Sequence, residues 1–257
     1  MKVKYLEKIQ LGIKCTNSYW SSKETLSRLE ERSVLIENQS DVLLFIEKTR
    51  YDFWRLYFYI QDITSVNWDF FREKILVTEI VVRHSKKKKW DSIIQVFQKK
   101  GGFKVYDAYM RFYKEISNID IIGIDFSIVE TAKEKDFIKI QKLIEDNFDP
   151  FSDKIPSIVE LKNLSETTFL IKDKEQIVAF FITEKKGITL EFRYWLVLEE
   201  YRGKKYGSIL MKRVLTFDVE IKRIISWISK NNINVILAHK NQGFKEDGLT
   251  NYILYRA

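Results

Sequence analysis

Apolar residues fall in short periodic runs along the chain, each closed by a charge or a turn residue. In "AKEKDFIKIQKLIEDNF", residues 132–148, Phe137, Ile138, Ile140, Leu143 and Ile144 recur at helical spacing. Pro150 and Pro156 bracket the next loop, and "PSIVELKNL" reads as a short helix with proline in its first turn, where a missing N–H costs nothing. The runs "TTFLIKD", "QIVAFFITEK" and "ITLEFRYWLVL" are rich in β-branched and aromatic residues and predict three strands. A helix over 206–218, a strand "RIISWIS" and a helix "NNINVILAHKNQ" follow. "GFKED" reads as a turn into a strand, and "NYILYRA" as the last strand. Counting a first strand at "DFSIVE", the order is β-α-α-β-β-β-α-β-α-β-β.

The front half carries fewer signals. A helix "SKETLSRLEER" precedes strands at "SVLIEN", "DVLLFIEKT", "DFWRLYFYIQ" and "KILVTEIVVR", then a helix "KWDSIIQVFQKK". The pair "FKVYD" and "YMRFYKE" predicts a closing hairpin. Both halves therefore end in a helix, Gly-Phe-Lys and a hairpin, which suggests an internal repeat resting on about five matched positions. The boundary is placed near residue 123, giving domains 1–123 and 124–257. Trp54, Tyr57, Tyr59 and Trp68 read as core of the front half, whose work would be to shape an acceptor pocket or to dimerise.

Composition supports a folded body: 45% of residues are hydrophobic, and the charged 31% reads as its solvated surface. The single cysteine, Cys15, excludes an intramolecular disulfide, and no His/Cys cluster has metal-ligand spacing. "MKVKYLEKIQ" lacks an apolar core of signal-peptide length and no run of 18 apolar residues occurs, so the expected compartment is the cytoplasm, without a membrane partner. Net charge is +8, which favours anionic partners without arguing for nucleic acid. The dense block Lys86–Lys89 reads first as a solvated loop or helix start, and second as a phosphate or nucleic-acid patch.

One stretch changes the picture. The chain has nine glycines, none between Gly12 and Gly101, yet "EEYRGKKYGSILMKRVL" holds Gly203 and Gly207 four residues apart, between a strand and a helix. A helix N-terminus leaves backbone N–H groups without intrahelical partners, and the helix dipole behind them favours an anion. Gly207, with no Cβ, would let a diphosphate approach the main chain, and Arg202, Lys204 and Lys205 add positive charge. A nucleotide P-loop is excluded because no Gly-Lys-Ser/Thr triplet follows. A dinucleotide fingerprint is disfavoured because the stretch comes after several consecutive strands.

The segment "WLVLEEYRGKKYGSILMKRVL" resembles the acetyl-CoA signature of the GCN5-related N-acetyltransferase (GNAT) superfamily, Arg/Gln-x-x-Gly-x-Gly/Ala. Arg202 takes its first position and Gly207 its last, while Lys205 stands where a glycine is usual. "NINVILAHKNQGF" is similar to the family's Asn-helix-Gly-Phe element, with Asn232 eleven residues before Gly243. The resemblance covers about 125–257. It implies an α/β (α+β) fold with a mixed, mostly antiparallel sheet flanked by helices, in a tandem arrangement if the front half is a degenerate copy. The front half offers only about 13 residues, "DITSVNWDFFREK", and no glycine where such a copy would need a phosphate turn and helix.

The resemblance implies acetyl-CoA as cosubstrate, no metal, and a small-molecule or peptide amine as acceptor; homo-oligomerisation stays open. The strand "YWLVL" would splay from its neighbour and pair through Leu196, Val197 and Leu198 with the pantetheine arm, an N–H near Val197 polarising the thioester carbonyl. Arg202, Gly203, Lys204, Lys205, Tyr206, Gly207 and Ser208 would take the diphosphate. Asn232 would contact the cofactor arm or simply cap its helix. Direct transfer needs a neutral amine, for which Glu191, then Glu199, is the candidate base. The family's tyrosine acid has His239 in its place, an imidazole able to protonate the leaving thiolate or a partly buried histidine at a helix end. The reading is an acyl-CoA-dependent N-acyltransferase. Its alternatives are a non-catalytic acyl-CoA-binding or partner-binding protein, favoured by Lys205 and His239, and a nucleic-acid binder using Lys86–Lys89.

Overall fold

The computed structural model describes residues 15–18, 34–38, 41–69, 71–116, 125–216, 218 and 220–257. The expected helix "SKETLSRLEER" and the boundary at residue 123 lie outside them. By their contacts the residues form two compact units, one of Met1–Tyr109 with Gly248–Ala257, the other of Met110–Asp247.

The first unit has the strand order β2 (Val34–Asn38), β3 (Val42–Lys48), β4 (Trp54–Ile60), β5 (Leu76–Arg83) and β12 (Lys245–Arg256), with β1 (Cys15–Thr16) on β4. Alternation along β3 sends Val42, Leu44 and Ile46 to one face and Leu43 and Phe45 to the other. The helix α1 (Lys87–Lys99) closes the first face with Ile93, Ile94 and Phe97. On the opposite face Phe45 stacks on Tyr57 with centroids 5.2 Å apart, the cross-strand partner its register dictates. Trp54, Tyr57, Tyr59 and Trp68 all pack into or against these two cores, as their aromatic character predicts.

The second unit runs β6 (Lys104–Glu115), β11 (Arg223–Ser229), β10 (Thr189–Val197), β9 (Gln176–Lys186), β8 (Thr168–Asp173) and β7 (Val129–Thr131). Its central β9 is buried on both faces, which is why "IVAFFIT" shows no alternation. Phe180 and Ile182 meet α2 (Phe137–Asn147) and α3 (Ile158–Asn163), while Ala179 and Phe181 meet α4 (Tyr206–Thr216) and α5 (Ile233–Asn241). Phe137, Ile140 and Ile144 are the buried stripe of α2. Ser157 and Glu160 form a capping box on α3, so Pro156 stands before the cap rather than in the first turn.

Two expectations need correction. The predicted hairpins at "FKVYD–YMRFYKE" and "GFKED–NYILYRA" are each one unbroken strand, β6 and β12, of 12 residues. "DAY" holds no glycine, proline or asparagine, and Gly248 passes through β12 with φ of +76° instead of reversing the chain. The division into units falls within both long strands, between Tyr109 and Met110 and between Asp247 and Gly248.

Candidate functional site

The site is built on β10. Its register with antiparallel β9 slips between Phe192 and Tyr194, so Arg193 is the extra residue of a β-bulge. The bulge changes which side chains face which layer: Leu190 and Phe192 enter the α4/α5 core, whereas Tyr194 and Leu196 enter the α2/α3 core. Pairing with parallel β11 runs from Thr189↔Arg223 to Phe192↔Ser226 and ends there, while β10 continues to Val197 along β9. The two strands are splayed beyond the bulge. Leu198 N–H donates to Val178 O at 3.0 Å, on the β9 side. Alternation therefore turns the Val197 N–H to the opposite, open edge.

Beyond β10 a single 3₁₀ turn, Glu199–Tyr201, leads through Arg202, Gly203, Lys204 and Lys205 into α4. The first helical bond runs from Ile209 N–H to Lys205 O at 3.0 Å, which leaves the amides of Tyr206, Gly207 and Ser208 without intrahelical acceptors. Arg202, Lys204 and Lys205 are exposed around them. A cavity of about 310 Å³ opens here, lined by Val197, Tyr201, Arg202, Gly203, Lys205, Tyr206 and Gly207. Tyr201 anchors its wall, donating to the Asp173 carboxylate at 2.9 Å while Lys204 Nζ lies 4.4 Å from its ring centre.

The two loop glycines serve different needs. Gly203 has φ of +82° with open space where a Cβ would be, so its demand is conformational. A Cβ on Gly207 would stand 3.1 Å from Trp195 Cζ2 and 3.4 Å from its Nε1. The space that Gly207 leaves open is thus taken by the indole, and the glycine lets α4 close onto β10, a need beyond the diphosphate approach expected from sequence. Lys205 adopts φ of +63°, a left-handed conformation that explains why glycine is usual at that motif position.

Asn232 caps α5, its Oδ1 accepting from Val235 N–H at 3.3 Å. Gly243, with φ of +82°, ends the same helix, its N–H donating to Lys240 O, and Phe244 returns to donate to His239 O at 3.0 Å. These contacts account for the Asn-helix-Gly-Phe element as a folding unit.

The candidate catalytic residues are not brought together as an open pair. Glu191 lies on β10 before the bulge, its oxygens 2.8 Å from Lys186 Nζ and 3.8 Å from Arg193. Glu199 is exposed on the 3₁₀ turn. His239 is only 2% exposed, ringed by Phe112, Phe192, Trp195 and Phe244. Its Nδ1 lies 2.9 Å from Val235 O, an acceptor, so Nδ1 carries the proton and Nε2 is a buried lone pair without a partner. Burial lowers its pKa against the smaller opposing pull of that carbonyl, which holds the ring neutral at pH 7. The reading of His239 as proton donor to a thiolate meets a residue sealed in the core with no proton on its free nitrogen.

Sequence reading missed Trp195, which stacks on Phe181 at 4.9 Å and fills the space over Gly207. An aromatic in a buried strand carries no sign of that task. Among the described residues no group of three or more His, Cys, Asp or Glu could hold a metal ion.

The model of the acetyltransferase (GNAT) family matches residues 136–244. No curated protein matches the chain. Among solved structures, a GCN5-related N-acetyltransferase from Sphaerobacter thermophilus is 12% identical, with a TM-score of 0.58 over 93% of this chain and 86% of that one. A tandem GNAT protein from the clavulanic acid biosynthesis pathway is 9% identical, with a TM-score of 0.60 over 100% of this chain and 94% of that one. A GCN5-related N-acetyltransferase from Kribbella flavida is 12% identical, with a TM-score of 0.55 over 91% and 93%. At these identities the likeness is one of fold, and it extends over the front half. Residues 136–244 of this chain match the model of the GNAT acetyltransferase family, in a fold that resembles a tandem GNAT protein over the length of the chain.

Proposed function

We propose that the second unit is an acyl-CoA-dependent N-acyltransferase that moves an acetyl group from acetyl-CoA to a primary amine in a ternary complex. The observation that carries this reading is one continuous path: the open edge of β10 at Val197 leads directly into free helix amides surrounded by three exposed cations. Acetyl-CoA supplies the activated thioester. The amides of Tyr206, Gly207 and Ser208, with Arg202, Lys204 and Lys205, hold its diphosphate, and the β10 edge from Leu196 to Leu198 pairs with its amide-bearing arm. Val197 N–H donates to the thioester carbonyl oxygen, on which negative charge develops as the amine attacks.

Glu191 is the base candidate on this strand, and one of its ion pairs must open for it to accept a proton. The buried His239 leaves the departing thiolate to be protonated by water. Cytoplasmic location and a small amine or peptide acceptor belong to the same proposal. Titration calorimetry with acetyl-CoA, followed by an amine panel read by release of free CoA thiol, tests it. Binding with amine-dependent thiol release supports the reading, and absence of binding overturns it. Binding without turnover on any amine favours the second reading, a non-catalytic acyl-CoA-binding protein, which the burial of His239 already favours.

A further inference from the structure

The strand order of the first unit, β2-β3-β4-β5-β12, repeats that of the second, β8-β9-β10-β11-β6. In each, the third strand is antiparallel to the second and parallel to the fourth. In each, the parallel pairing starts at the beginning of the strand and then stops, after Phe192 in β10 and after Arg55 in β4. The first unit thus holds a second splay, with the edge of β4 from Leu56 to Ile60 in the position of the open edge of β10.

That edge is filled by the chain itself. Cys15 and Thr16 pair with Ile60 and Tyr59 as β1. Asn17 then replaces main chain with side chain: its Oδ1 accepts from Phe58 N–H at 2.9 Å, and its Nδ2 donates to Leu56 O at 2.9 Å. The same Nδ2 lies 2.9 Å from Thr78 Oγ1 on β5, whose hydroxyl donates to Leu56 O at 2.8 Å. Thr16 Oγ1 donates to Phe58 O at 2.7 Å, and Tyr59 OH donates to Ser18 Oγ at 2.8 Å. One carboxamide spans both walls of the splay, using a donor and an acceptor as the amide of an extended ligand arm would. Cys15 is buried beside it.

We infer that Cys15–Ser18 is a built-in occupant of the duplicated cofactor cleft, with Asn17 as its latch, so that the first unit takes no acyl-CoA and the chain carries one cofactor site. The inference rests on the proposed role of the β10 splay. The missing glycine turn after β4 agrees with it, since residues 61–75 contain no glycine to shape a phosphate loop. A cleft that has lost its phosphate loop and kept its splay exposes unpaired main chain, and the segment supplies the missing partners.

Cys15, as the sole cysteine, is a ready reporter. In the full chain we expect slow labelling of Cys15 by a thiol reagent, and labelling at least about tenfold faster in Asn17→Ala, which removes bonds at both walls. Amide exchange at Phe58 should accelerate in Asn17→Ala, while that of Phe45, inside β3, stays slow, which separates release of the segment from unfolding of the unit. Saturating acetyl-CoA should bind once per chain, change exchange at Val197 and leave Cys15 labelling and Phe58 exchange unaltered. A second binding site, faster Cys15 labelling with acetyl-CoA, or unchanged Phe58 exchange in Asn17→Ala overturns the inference. If acetyl-CoA binds nowhere, the reading of β10 fails, and the latch still stands or falls on the Asn17→Ala comparison.

Discussion

Lys205 holds φ of +63° at the mouth of the loop, where its side chain is exposed. Lys205→Gly removes a left-handed non-glycine residue and adds unfolded-state freedom, so the net change in stability should be within about 1 kcal/mol. The lost cation is exposed and worth about 1 kcal/mol or less, so acetyl-CoA affinity should change less than about fivefold. Lys205→Val, a β-branched residue forced to the same φ, should lose both stability and affinity, which calorimetry and thermal melting would show. His239 makes the opposite demand, since it is buried and neutral. Its folded pKa lies below the ordinary value of 6.5, so the unfolded chain binds more protons just beneath that value. Its contribution to stability is therefore complete above pH 6.5 and falls away as pH drops towards the folded pKa. Urea denaturation of wild type and His239→Gln from pH 5 to 8 should show this acid-side slope in the wild type alone. Turnover of a folded His239→Gln should stay near wild type, whereas a loss of about 100-fold would restore the histidine as general acid.

At the scale of elements, α4 and β10 meet through Trp195 and Gly207, so their effects should couple. Gly207→Ala places a methyl about where Trp195 Cζ2 lies 3.1 Å away, tilting α4 and the amides it presents. We expect a lower melting temperature and weaker acetyl-CoA binding for Gly207→Ala, with part of both recovered in Gly207→Ala/Trp195→Phe. Additive losses in the double-mutant cycle would mean that the indole is not the obstacle. This junction also shows what was legible from the residues. The strand, the helix and the two glycines could be read because each residue type answers a local need of backbone or periodicity. The bulge at Arg193 could not, because Trp195 and Val197 are as apolar as Tyr194 and Leu196, and a change of face leaves no mark on such a run. The same blindness produced the two false hairpins: a strand long enough to serve two units carries no signal for where it changes neighbours.

At the scale of the molecule, the contacts group Met1–Tyr109 with Gly248–Ala257 in one compact unit and Met110–Asp247 in the other. Residues 124–257 hold both segments that resemble GNAT motifs and the whole family match at 136–244, yet the second unit begins at Met110 and ends at Asp247. A fragment 124–257 lacks β6, the neighbour of β11, and with it Phe112, which is fully buried in the core around His239. It also lacks Arg111, which holds the carboxylate of Asp247 at 2.6 Å; that side chain is 9% exposed and lies 3.7 Å from Arg223 as well. Losing a buried aromatic costs about 3–5 kcal/mol and leaving a buried charge without its main partner a similar amount, which together approach the whole stability of a domain. The fragment further retains Leu249–Arg256, the strand that pairs with β5 in the first unit, now with no partner and prone to aggregate. We therefore expect 124–257 to be insoluble or unfolded, and 104–247, cut by structure instead of motif, to fold and bind acetyl-CoA with an affinity near that of the full chain. Circular dichroism and calorimetry on the two fragments decide the matter. A cooperative melt and normal binding by 124–257 would show that β6 is dispensable and that the motif-bearing half folds on its own.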